Sequence, residues 1–263
     1  MKKHAIISIF ILYSATSFCQ NIAHDIVFGS STLCSQKGIT AINKNIAGLS
    51  ISDNSKWIIG INQTYSIPEL WNVSASYLVK IKKRGILPIT LTCHGPGNFL
   101  NFKLKFGYAQ MFSKYFSVNI RFLAEYYFID HSENMFNAGF EVGTLYLINN
   151  KASVGFIFTM PNLVHNTTEN AWRNIQIETA FSYYLFDKAN INFGIRKEQY
   201  TNIEFIVSIV GQIAKNMGLF LAYNSGNSQI SSGLTIIFKS ISIALIMETN
   251  FNLGASPEIQ FIF

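Results

Sequence analysis

Charge is scarce in this chain. Only 13% of its 263 residues are Asp, Glu, Lys or Arg, against about a quarter in ordinary soluble domains. Hydrophobic residues make up 49% and aromatic residues 14%, which is too greasy for a soluble exported domain. Long apolar runs are missing as well. Beyond the first twenty residues no stretch approaches the roughly 18 apolar residues of a spanning helix, so helical membrane spans are excluded. The net charge is +6, falling to +4 without Lys2 and Lys3, and the basic residues are scattered, so there is no nucleic-acid footprint.

Catalytic and metal-binding patterns are absent too. His94, His131 and His165 have no metal-like spacing and no neighbouring cluster of Cys or carboxylates. No Ser sits in a strand-turn-helix setting that would expose a nucleophile. The HGPGN stretch has two glycines but no Lys or Ser/Thr partner for a phosphate, and reads as a turn. No enzyme activity, cofactor or metal is expected. Three cysteines occur, and the two beyond the first twenty residues, Cys34 and Cys93, read as separate thiols. Cys93 shares the apolar parity of Leu87, Ile89 and Leu91, whereas Cys34 lies in a polar segment.

What is present begins with MKKHAIISIFILYSATSFCQ: a basic start, an apolar run from Ala5 to Tyr13, and a small-residue exit at Ser17 and Cys19. This is the pattern of a secretory signal peptide over residues 1–19. Phe18 before Cys19 argues against a lipoprotein cleavage box.

From Trp57 onward the chain alternates. Leu100, Phe102, Leu104, Phe106 and Tyr108 are apolar, while Asn101, Lys103, Lys105, Gly107 and Ala109 are polar or small. Trp71 to Ile81 and Phe116 to Ile129 behave in the same way, and further segments begin near Trp57, Ile86, Phe136, Ala152, Asn174, Ile191, Ile203, Met217, Ile230, Ile241 and Ala255. Each segment is near the 9 to 11 residues that cross a bilayer obliquely. Connections of two or three residues, near residues 83–85, 113–115, 149–150, 187–189, 214–216 and 239–240, alternate with longer ones such as HSEN and Asn162 to Arg173. Short turns on one rim and longer loops on the other belong to an outer-membrane barrel.

The expected fold is therefore all-β, a transmembrane antiparallel up-and-down β-barrel of about 14 strands over residues 56–263. A short hatch-like segment over residues 20–55, lumenal or periplasmic, precedes it. The expected location is the bacterial outer membrane, with lipid and the barrel-assembly machinery as partners. PEIQFIF supplies the assembly signal, with Phe261 and Phe263 on the lipid-facing parity.

The inward parity carries Lys103, Lys105, Arg121, Glu125, Glu141, Glu178, Arg196, Glu204, Glu248 and Glu258. These are the candidate lumen-lining residues, either a solute path or a lattice of ion pairs that holds the barrel's shape. The segment before the first strand does not alternate. Its Lys37, Asn43, Lys44 and Asn45 suit partners inside a charged lumen.

That segment, GSSTLCSQKGITAINKNIAGLSISDN, resembles the N-terminal stretch of the PorV/PorQ-like and FadL-like outer-membrane proteins, in which small residues lead to an Asn-Pro-Ala-Gly-Leu motif. Asn45, Ala47, Gly48 and Leu49 match the motif, and Ile46 stands where proline is expected. SIPELWNVSASYLVKIKKRGILPITLTCHGPGN and LKFGYAQMFSKYFSVNIRFLAEYY look like the second to fifth strands of the same group from Bacteroidota. The resemblance implies a barrel that binds or translocates a small, hydrophobic molecule. It also leaves open a non-conducting accessory of a type IX secretion-like machine, with secretion-system proteins as partners.

Overall fold

A computed structural model describes residues 33–37, 41–42, 44–51, 56–81, 85–96, 99–131, 134–164, 175–186, 189–226, 228–239 and 241–263. The leader read over residues 1–19 lies outside them, as do Asn43 and His165. Fourteen strands follow one another in chain order. They are β1 (Lys56–Gln63), β2 (Trp71–Ile81), β3 (Gly85–His94), β4 (Phe99–Ser113), β5 (Phe116–Ile129), β6 (Met135–Leu147) and β7 (Ala152–Val164), then β8 (Gln176–Phe186), β9 (Ala189–Glu198), β10 (Glu204–Ala214), β11 (Met217–Asn224), β12 (Gln229–Phe238), β13 (Ile241–Asn250) and β14 (Gly254–Ile262).

Each strand pairs antiparallel with its sequence neighbours, and β1 pairs with β14, so the sheet closes into a barrel with no free edge. The seam continues one residue beyond β14. Trp57 and Phe263 exchange backbone hydrogen bonds at 3.3 and 2.9 Å. Closure satisfies the backbone groups that an open edge would leave bare in lipid, where each would cost several kcal/mol.

Two expected boundaries move. The longer connection read from Asn162 begins later, because β7 runs on to Val164. Its Pro161 lies where the β6–β7 register shifts, between Ala138 and Phe140, and an irregularity is where a strand tolerates a residue without an N–H. The eighth strand starts at Gln176 rather than Asn174. On one rim the strands are joined by residues 82–84, 114–115, 148–151, 187–188, 215–216 and 239–240, and on the other by longer stretches such as 64–70, 165–175 and 199–203.

Alternation decides what each face meets. Leu104, Phe106, Ile120 and Phe122 remain 36 to 45% exposed, and their exposed ring and alkyl surface forms a belt on the outside of the wall together with Leu91, Phe193, Ile209, Leu221 and Leu245. Burial in lipid is the stable arrangement for such a belt, and the barrel is a membrane-spanning one. Leu104 lies opposite Leu91 and Ala124 in the wall, with Lys105 next to it pointing inward. Leu104→Arg is expected to destabilise the folded barrel by about 2–4 kcal/mol in lipid vesicles if it sits near the bilayer midplane, and Lys105→Gln far less. Urea titration of both variants checks this, and equal costs would reverse the inside-outside assignment.

Candidate functional site: the barrel lumen and its hatch

The inward side chains meet in rows set by strand register. Lys103 stands opposite Glu125 and Arg121 opposite Glu141, while Arg196 lies between Glu178 and Glu204. The resulting ion pairs measure 3.0 Å from Lys103 Nζ to Glu125 Oε1 and 2.5 Å from Arg121 Nη2 to Glu141 Oε2. Arg196 reaches Glu178 at 3.0 Å through Nε and Glu204 at 3.4 Å through Nη1. Seven of the candidate lumen residues therefore form cross-strand pairs on β4 to β10. Lys105 points inward from the same wall, between Leu104 and Phe106. Glu248 and Glu258 lie on β13 and β14, where they accept hydrogen bonds from Gln229 Nε2 at 2.9 Å and Gln260 Nε2 at 2.6 Å.

Buried charge is costly unless it is paired and hydrogen-bonded. Here the segment ahead of β1 adds hydrogen bonds to these charges. Arg121 donates from Nη1 to the Ile42 carbonyl and from Nη2 to the Lys44 carbonyl, both at 2.9 Å. Glu178, which is fully buried, accepts the Cys34 N–H at 2.9 Å and meets Lys44 Nζ at 3.5 Å. Ser117 Oγ donates to the Ala47 carbonyl at 2.9 Å, and Ser153 Oγ to the Ser35 carbonyl at 3.0 Å. The Ser35 and Ser182 hydroxyls are bonded at 2.6 Å. Lys37 sits over the Tyr184 ring, with Nζ 5.1 Å from the centroid.

Asn45 ties the segment to itself and to the wall. Its Nδ2 donates to the Cys34 and Thr144 carbonyls at 2.8 Å, and its Oδ1 accepts from Asn119 Nδ2 at 2.6 Å. Ala47, Gly48 and Leu49 follow in a short 3-10 turn, Ile46–Ile51, and all three are buried. Gly48 is required by close approach, because a Cβ there would collide with the Gln36 carbonyl oxygen. Gly155 on β7 is required in the same way, since a Cβ would strike the Cys34 carbonyl. Ile46 occupies the position of the motif's proline, fully buried, with its Cδ1 above Gly107.

Apolar contacts hold the near end. Ile42, Ile46 and Leu49 pack with the inward Ile58, Leu78, Ile86, Ala109 and Ile262, at the rim where the short connections lie. Each buried Leu or Ile side chain contributes about 1.5–3 kcal/mol relative to exposure. A second inward cluster lies across the lumen on β10, β11 and β13, where Val210, Phe220, Ala244 and Ile246 pack together with Ile237 of β12 against them. Alternation alone missed both clusters, because it treats the lumen as uniformly polar.

Cys34 and Cys93 are both free. Cys34 is buried against β8, with its Sγ 3.7 Å from the Glu178 carbonyl, and Cys93 lies on the outer side, opposite Val73 and Phe102. Burial, reinforced by the Glu178 carboxylate, pushes the Cys34 thiol well above its ordinary pKa and keeps it protonated. Burial lowers the Lys44 ammonium and the Glu178 charge opposes that shift. His94 ends β3, and the exposed His131 meets Asp130 at 3.4 Å. No group of His, Cys, Asp and Glu suited to a metal occurs among the described residues.

These contacts define a class of protein: a closed 14-stranded membrane barrel whose lumen holds residues 33–37, 41–42 and 44–51 from ahead of its first strand. Solved structures share the architecture. The toluene transporter TodX of Pseudomonas putida aligns with a TM-score of 0.64 at 8% identity, over 92% of this chain and 98% of that one. The toluene transporter TbuX of Ralstonia pickettii gives 0.63 at 9%, over 90% and 97%. The CymD monoaromatic hydrocarbon channel gives 0.62 at 11%, over 86% and 91%. At these identities the likeness is one of fold. No protein-family model matches the chain, and no curated protein does.

Proposed function

We propose that this protein is an outer-membrane channel for small hydrophobic molecules, with monoaromatic hydrocarbons as the first class to test. The observation that carries the reading is the hatch, residues 33–37, 41–42 and 44–51, bonded inside a 14-stranded lumen, in a fold shared with proteins solved as hydrocarbon channels. An open lumen of this size would pass ions and polar solutes freely. A hatch seated across β4 to β9 narrows it, and the inward cluster of Val210, Phe220, Ala244 and Ile246 makes the opposite part of the lumen apolar. On this reading the ion-paired rows are the frame that seats the hatch, rather than a polar solute path.

The test is uptake. Cells with a permeability-limiting outer membrane, expressing the folded barrel, should take up radiolabelled toluene several-fold faster than cells carrying the empty vector, with no gain for a sugar. Equal rates with the barrel folded, as judged by heat-modifiable gel migration, would overturn the reading. The finer kinship with PorV/PorQ-like accessory barrels of Bacteroidota rests on the sequence resemblance alone. A silent barrel that co-purifies with secretion proteins would favour it.

A further inference from the structure

Charge divides the two rims of the barrel. Four of the six short connections, residues 114–115, 148–151, 215–216 and 239–240, each carry one lysine: Lys114, Lys151, Lys215 and Lys239. The other two, residues 82–84 and 187–188, lie outside the described residues. All four lysines are exposed, and none forms an ion pair with a described residue. No Asp or Glu occurs within four positions of these four connections. The longer connections of the opposite rim carry acids instead. Their described Asp, Glu, Lys and Arg residues are Glu69 and Asp130.

Each of the four lysines has an exposed apolar neighbour. Phe112 and Tyr115 flank Lys114, whose Nζ lies 5.7 Å from the Tyr115 ring centroid. Ile148, Ile213 and Phe238 stand one to three residues ahead of Lys151, Lys215 and Lys239. Phe112, Ile148, Ile213 and Phe238 are 50 to 60% exposed, more than Leu104, Phe106, Ile120 and Phe122 of the outer belt. An apolar body at the acyl boundary beside a lysine that reaches the headgroup layer is how a membrane protein anchors at an interface.

Turn geometry does not account for the lysines. Lys239 holds its place at φ 53°, the left-handed region in which Gly or Asn would be less strained. Their spread around the barrel also selects the occupant. The four connections join β4 to β5, β6 to β7, β10 to β11 and β12 to β13, on both halves of the ring. One protein partner would meet a single arc, whereas surrounding lipid meets all four, and anionic headgroups attract clustered lysines at a membrane surface.

We propose that the short-connection rim binds anionic phospholipid headgroups of the leaflet it enters, with Lys114, Lys151, Lys215 and Lys239 as counter-charges to the phosphates and the adjoining apolar side chains seated at the acyl boundary. This contact fixes the depth of the barrel in the bilayer. It rests on the membrane-spanning fold and is independent of what the lumen passes.

The experiment is electron spin resonance of the refolded full chain in phosphatidylcholine vesicles at low salt, with a trace of spin-labelled phosphatidylglycerol or of spin-labelled phosphatidylcholine bearing the same acyl chains. The motionally restricted fraction reports lipid held at the barrel surface. Phosphatidylglycerol is expected to associate at least about threefold more strongly than phosphatidylcholine, and the ratio should fall toward one in about 1 M salt, which screens charge beyond ~3 Å. Joint substitution of Lys114→Gln, Lys151→Gln, Lys215→Gln and Lys239→Gln should at least halve the ratio. Lys197→Gln, an exposed charge change near the opposite rim, should leave it intact, and heat-modifiable migration verifies that both variants are folded. A ratio that stays above half its parent value in the fourfold variant would overturn the proposal. Equal association of the two lipids with the unmodified barrel would also overturn it, and would assign the lysines to an acidic protein partner.

Discussion

Replacing Glu178 by Leu is expected to release the hatch while leaving the barrel closed. Glu178 is fully buried on β8 and joins three groups: the Cys34 N–H, the Lys44 ammonium and the Arg196 guanidinium. Arg196 keeps Glu204 as a partner at 3.4 Å. The loss therefore falls mainly on the hatch, where Lys44 is left without that carboxylate and a buried N–H without its acceptor. Breaking a buried pair from one side costs about 3–5 kcal/mol, and each 1.4 kcal/mol is tenfold in population. The undocked state should rise by at least about a hundredfold. Trypsin reads this through cleavage after Lys37 and Lys44, at a rate that follows the open population when reclosing is fast. Glu178→Gln, which keeps an acceptor but removes the charge, should fall between parent and Glu178→Leu. An unchanged cleavage rate in a folded Glu178→Leu barrel would mean that the segment is held by something other than this carboxylate.

Much of the architecture was legible in the sequence for a simple reason. A strand between lipid and a wet lumen must alternate, so parity separates Leu104 from Lys105 and Phe122 from Arg121 without any knowledge of partners. Strand register was not legible. Nothing in the one-dimensional pattern places Lys103 against Glu125 or Arg196 between Glu178 and Glu204, because those pairings depend on how neighbouring strands slide past one another. The inward apolar residues were misjudged for a related reason. Leu78 falls on the polar parity of β2, yet it is buried against Ile46 and Leu49, since part of the lumen wall meets protein instead of water. The hatch showed itself only as a segment that fails to alternate and carries small residues. Its motif residues could be named, but the roles of Asn45 as a tie to β5 and β6 and of Gly48 as a site of close approach required coordinates.

The second large effect is a covalent one, and it bears on the central claim that residues 33–37, 41–42 and 44–51 sit inside the lumen. Ser35 and Ser182 are both buried, with their hydroxyl oxygens 2.6 Å apart, close to the separation of about 2.05 Å that a disulfide requires. In a chain with Cys34 and Cys93 first replaced by Ser, the double substitution Ser35→Cys and Ser182→Cys should oxidise to a bridge between hatch and wall. The bridge should also suppress the tryptic release caused by Glu178→Leu, and a reductant should restore that release. The decisive measurement is mass spectrometry of the oxidised, folded barrel after complete tryptic digestion. The account predicts that the peptide carrying residue 35 stays joined to the peptide carrying residue 182 in near-stoichiometric yield. Recovery of both peptides as free thiols, or joined only between separate molecules, would contradict it.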